Sequence, residues 1–137
     1  MQTKSIEQLE NDYWKEPSEF PTNLVKRCFE YRKIKVSKLT LEQIRLLISQ
    51  KIGNEFLIGI ALEKLEQNII VEADLYEGDL LDSVSKTPTE FWNKKPKEFL
   101  NFKRIVESNK KKIKSELGEK EYERISERIK ASCQHRI

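Results

Sequence analysis

TLEQIRLLISQKIGNEFLIGIALEKLEQ, residues 40–67, carries two apolar stripes of helical period joined at Gly53. In the first half Leu41, Ile44, Leu47, Ile48 and Ile52 recur at steps of three and four, which puts them on one face of an α-helix. Thr40 and Gln43 fit a capping box, in which each side chain satisfies an orphan backbone N–H of the other. Gly53 stands where a left-handed residue is needed to end that helix. The second half, about 54–67, keeps Phe56, Leu57, Ile60, Ala61 and Leu65 in register for another helix. Two apolar helices with so short a link are predicted to pack as a hairpin and to form the core.

The flanking sequence extends this helical pattern. Upstream, Ser5-Ile6-Glu7-Gln8 is a second capping box, predicting a short helix that ends near Asn11. NDYWKEPSEFPTN follows, and Pro17 and Pro21 bias it toward loop geometry. Trp14 in that loop is expected to cover the end of the helical bundle, the alternative being that Tyr13 and Trp14 anchor a partner. Leu24, Val25, Cys28 and Phe29 predict a helix over about 23–33, with Arg27, Glu30, Arg32 and Lys33 between the apolar positions. Downstream, Ile69-Ile70-Val71 is strand-like but has no second run to pair with, so 68–77 is read as a buried loop or short turn. A helix over 79–85 is expected next, with Asp79 near its start, and another from Thr87-Pro88-Thr89-Glu90 with Pro at its first position. Phe91 and Trp92 are expected to close the core. From Pro96 one helical period runs through Phe99, Phe102, Ile105, Val106, Ile113 and Leu117 to Gly118, and a last helix spans about 119–130. The fold class predicted is all-α: a single compact multi-helix domain, with 1–95 as its body and 96–137 as a basic helical extension packed on it or trailing from it.

Composition agrees. The chain has 137 residues, the size of one domain, and its four Gly and four Pro are too few for a turn-rich β-sandwich. Apolar residues make up 37% and charged residues 36%, so the core is lean and the surface dense with charge. Residues 94–137 hold 14 of the 26 basic residues and 7 of the 23 acids, a net of +7, which leaves 12 basic and 16 acidic residues, a net of −4, in 1–93. Cys28 and Cys133 belong to no CxxC pair and are read as free thiols of a reducing compartment. The N-terminal MQTKSIEQLE has no apolar signal core, and FLIGIAL at 56–62 falls short of the roughly 18–20 residues that span a bilayer. The expected location is the cytoplasm, with no membrane partner.

Most enzyme chemistry lacks its residues. His135 is the one histidine and sits in the terminal tail, so HExxH is absent, and a solvated tail histidine is the expected reading. GxxxxGK[ST], GxGxxG and GxSxG are absent too. Glu72, Asp74, Glu77, Asp79 and Asp82 fall within eleven residues, but their spacing does not match a calcium loop, and carboxylates of this kind also cap helices or face solvent. Lys94, Lys95, Lys97, Lys103, Arg104 and the lysines of 110–114 suggest phosphate binding, although seven interspersed acids also fit a solvated mixed-charge face. Phe99 and Phe102 are expected in the core rather than stacked on bases. No catalytic, cofactor-binding or metal-ligating residue is assigned.

KSIEQLENDYW at 4–14, LVKRCFEYRK at 24–33, LTLEQIRLLISQKIG at 39–53, ALEKLEQN at 61–68 and EADLYEGDLL at 72–81 together resemble the contact-dependent growth inhibition immunity proteins. The resemblance covers roughly residues 4–92 and fades beyond 96. It implies a small helical cytosolic bacterial protein that is not an enzyme. Such a protein binds and neutralises the toxic C-terminal domain of a cell-surface effector, often a nuclease. The family pattern EGDFYPGDLL is replaced here by Ala73, Leu75 and Glu77, while Asp74, Tyr76, Gly78 and Asp79 match. The partner-binding candidates are Glu72, Asp74, Tyr76, Glu77, Asp79 and Asp82. Asp79 as a helix cap and Tyr76 in the core are the structural alternative, which leaves Glu72, Glu77 and Asp82 as the solvated acids free to pair with a basic toxin. Two other functions compete with this one: a nucleic-acid-binding adaptor on the basic helices, and a carboxylate hydrolase built on Asp74 and Asp79.

Overall fold

The computed structural model describes residues 2–134, so His135 lies outside the described residues. The α-helices are α1 (Ile6–Glu10), α2 (Asn23–Arg32), α3 (Leu41–Ser49), α4 (Asn54–Gln67), α5 (Asp79–Ser85), α6 (Thr89–Lys94), α7 (Pro96–Ser108), α8 (Lys110–Leu117) and α9 (Glu119–Gln134), with a 3₁₀ turn at Val36–Lys38. Among the described residues there is no strand, only isolated bridges between Ser5 and Lys35 and between Glu72 and Glu77. The chain is all-α.

Both capping boxes form: Ser5 with Gln8 at the start of α1, and Thr40 with Gln43 at the start of α3. The α3–α4 hairpin closes differently from the expectation. Lys51 takes the left-handed conformation (φ 60°), and the Ile52 N–H donates to the Leu47 carbonyl at 2.9 Å, so a Schellman-type end is complete before Gly53. Gly53 (φ 70°) instead serves as the N-cap of α4. A Cβ there would lie 2.7 Å from Ile6 Cδ1, so glycine is required both for backbone conformation and for the close approach of α1.

Leu47, Leu57, Ile58, Ala61 and Leu65 of the hairpin are fully buried, together with Leu80, Leu81 and Val84 of α5. Trp92 lies against this layer, stacked on Phe102 with centroids 5.6 Å apart and 8° between planes, with Phe91 and Phe99 around it. Helices beyond residue 96 share the same core through Phe99, Phe102, Ile105, Val106, Ile113, Ile125 and Ile129. The run from Pro96 is two helices, not one. Asn109 donates its side-chain amide to the Ile105 carbonyl at 2.8 Å, ending α7 by competing with the backbone ladder before α8 begins. Pro88 is the N-cap of α6 rather than its first helical residue, and α9 runs to Gln134, beyond the expected end at 130.

Arg32 departs most from a reading of α2 as apolar positions separated by solvated charge. It is 1% exposed, donates to Glu10 at 2.7 Å and to the Asp12 carbonyl at 2.9 Å, and lies 4.0 Å below the Trp14 ring. Trp14 and Phe20 each meet Phe29 edge-on, so the proline-flanked segment is held to α2 by aromatic and cationic contacts. Cys28 and Cys133 are both unpaired, and burial raises the Cys28 thiol pKa above its ordinary value.

Candidate partner-binding site

The segment between α4 and α5 carries four of the six sequence candidates, Glu72, Asp74, Tyr76 and Glu77, and leads directly into Asp79 and Asp82 of α5. Its two ends are tied: the Gly78 N–H donates to the Ile70 carbonyl at 3.0 Å, and Glu72 and Glu77 face each other across the isolated bridge. Ile69 is buried, but Glu72, Asp74, Leu75, Tyr76 and Glu77 are exposed, so this is an outward loop anchored at its base rather than a buried one. Gly78 (φ 86°) turns the chain into α5, where a Cβ would lie 2.6 Å from Leu117 Cδ1 of α8.

Asp79 holds the loop's shape. It is 1% exposed, and its carboxylate accepts from the N–H groups of Ala73 at 2.7 Å, Asp74 at 2.9 Å and Leu75 at 2.8 Å. It therefore caps the loop and not the helix that it begins. Arg45 on α3 completes the arrangement, with Nε 3.7 Å from Asp79 and Nη2 3.7 Å from Asp74. Three charge-assisted hydrogen bonds and a neighbouring guanidinium offset the cost of burying the carboxylate. Both oxygens of the buried Asp79 carboxylate are thus engaged in holding the loop.

Asp82, one turn into α5, is also inward. Arg128 of α9 donates to it at 2.8 Å and Lys86 lies 3.1 Å away, leaving its side chain 14% exposed. Burial pushes its carboxyl up, but the Arg128 and Lys86 contacts outweigh this and hold it below the usual aspartate value. The expectation of Asp82 as a solvated acid free to pair is thus corrected. So is the core placement of Tyr76, which is 51% exposed; its hydroxyl donates to Asp82 at 3.3 Å. Partial burial and then the Asp82 charge raise the phenol's pKa, so it stays protonated near neutral pH. Glu72 and Glu77 remain as exposed acids, with no ion-pair partner among the described residues.

Sequence reasoning missed Arg45, Leu75 and Arg128. Arg45 was legible only as the polar gap in the Leu41–Ile52 stripe, and Leu75 only as a departure from the family pattern. Leu75 is in fact 63% exposed and stands beside Tyr76 at the wall of a groove of about 490 Å³ floored by Ile48 and flanked by Arg45, Lys51 and Lys86. Among the described residues no group of three or more His, Cys, Asp or Glu is placed to hold a metal ion, and no helix is long and apolar enough to cross a membrane.

The basic residues of the last third are divided. Lys95 pairs with Glu55 at 3.9 Å and Arg104 with Glu66 at 2.9 Å, both on α4. Lys110 and Lys114 lie over the Tyr122 ring, beside a groove of about 400 Å³ between α7 and α9. Phe99 and Phe102 are 1% exposed, in the core.

Comparison with curated proteins and with solved structures returns no match. The family model described as CDI immunity proteins matches residues 8–102, from α1 through the anchored loop and into α7. By that match over more than half its length, the chain belongs to the family of contact-dependent growth inhibition immunity proteins.

Proposed function

We propose that this immunity protein works in the cytoplasm as a non-catalytic, one-to-one inhibitor of a toxin domain with nuclease activity, and that it meets the toxin through the loop between α4 and α5. The observation that carries this reading is the presentation of Glu72 and Glu77, two exposed carboxylates unpaired among the described residues, on a loop fixed by buried Asp79. A nuclease domain presents a basic surface to its substrate, and carboxylates of opposite sign raise the rate of encounter with it. Speed matters where a toxin must be caught before it acts. Asp74 and Tyr76 lie in the same contact zone, while Asp79 and Asp82 support it from beneath.

Growth protection tests the function. Cells producing the C-terminal domain of the cognate effector are expected to grow only when the chain is co-expressed. Glu72→Lys with Glu77→Lys is expected to slow association about 10-fold or more at low salt and to remove most of its salt dependence. Unchanged association kinetics would place the contact elsewhere. The nucleic-acid adaptor reading has less support, since Lys95 and Arg104 are engaged by acids of α4 and Lys110 and Lys114 by Tyr122.

A further inference from the structure

Among the described residues four large apolar or aromatic side chains are strongly exposed: Tyr13, Leu75, Tyr76 and Leu100. Two of them are consecutive, at the tip of the loop that Asp79 holds through three backbone N–H groups. The remaining contacts of the loop also act to fix it. Tyr76 is tied through its hydroxyl to Asp82, which Arg128 and Lys86 hold in turn, and Gly78 is closed back on Ile70. A buried carboxylate and a nearly buried arginine are thus committed to stiffening a segment whose tip gains nothing from the core.

Rigidity of this kind lowers the ordering cost of binding, and aromatic anchors with neighbouring apolar groups supply most of the energy at protein interfaces. Exposed apolar side chains scattered singly need no account, but a fixed adjacent pair does. Charge states the partner's chemistry: Glu72, Asp74 and Glu77 flank the pair along the loop, while of the cations lining the adjoining groove Arg45 faces Asp74 and Asp79, Lys86 faces Asp82, and Lys51 also lines it.

We propose that Leu75 and Tyr76 are the anchor of the complex, entering an apolar socket rimmed by lysine and arginine on the toxin domain. The proposal rests on the toxin-binding reading above and adds a division of labour. Glu72 and Glu77 set the rate of association, whereas Leu75 and Tyr76 set the rate of dissociation. Asp79 is a positioning residue that touches no partner.

The test is a kinetic binding measurement on an inactive form of the cognate toxin domain, using this chain and its Leu75→Ala, Tyr76→Ala and double variants. Leu100→Ala, on α7 and 60% exposed, is the control. The double variant is expected to lose about 100-fold or more in affinity, nearly all in dissociation, with association changed less than about 3-fold. Leu100→Ala is expected to change neither, and Tyr76→Phe to retain most of the affinity because the ring supplies the contact. All variants alter exposed side chains, and equal melting temperatures confirm that they fold. Wild-type binding that the double variant leaves intact overturns the anchor while the toxin-binding reading stands. No binding by wild type overturns both. Self-association of the wild type abolished in the double variant identifies a second copy as the occupant and overturns the proposal.

Discussion

At the scale of single residues, the site depends on two inward carboxylates with different duties, Asp79 buried and Asp82 partly so. Asp79 fixes the loop, so Asp79→Asn removes the charge that faces Arg45 and replaces an acceptor oxygen by a donor that opposes a backbone N–H. A loss of about 2–4 kcal/mol in stability is expected by urea denaturation, with faster hydrogen exchange at Ala73, Asp74 and Leu75. Unchanged exchange at those three amides would contradict the role given to Asp79. Asp82 is held below the ordinary aspartate value of 3.8 in the folded state, so the folded protein binds fewer protons there than the unfolded chain does. Its contribution is present above that pH and is lost as pH falls through the lowered folded value; Asp82→Asn should flatten this acid limb of the stability profile. Residue type and position brought Glu72, Asp74, Glu77, Asp79 and Asp82 to attention, but not which of them face outward. That depends on Arg45 and Arg128, which come from helices 29 or more residues away in sequence from the nearest acid each meets (Arg45 to Asp74, with Arg128 46 residues from Asp82).

At the scale of elements, the helices of the body were legible because their signals are local. The expectations for α4 over 54–67 and α5 over 79–85 match the structure, and both capping boxes form. Errors fall where a tertiary contact or a competing side chain sets the boundary, as at Asn109 and at the α3–α4 corner. The corner supplies a paired prediction. Gly53→Ala forces a Cβ toward Ile6 at a positive φ and is expected to cost about 1–3 kcal/mol. Gly59→Ala, within α4 with nothing within 4 Å of the added carbon, is expected to stabilise the protein by about 0.5–1 kcal/mol. Thermal unfolding of both variants measures the difference, and equal effects would refute the close approach of α1 to the corner.

At the scale of the whole molecule, the last three helices supply core as well as charge. Removing residues 96–137 strips Phe99, Phe102, Ile105, Val106, Ile113, Ile125 and Ile129 from the cluster, and loss of cooperative unfolding by circular dichroism is expected for the truncated chain. A sequence reading sees the net charge of this segment more readily than its buried stripe, because basic residues outnumber acids along it while the stripe alone faces inward. The family match makes the molecule an immunity protein, and the mode proposed for it is occupation of a toxin by mass action, with no bond made or broken. Titrating the purified chain against the activity of its cognate toxin domain tests this most directly. Activity should fall linearly to zero at one equivalent and return when the complex is dissociated with the toxin chemically unchanged. Full inactivation at a small fraction of an equivalent, or full activity in excess chain, would contradict it.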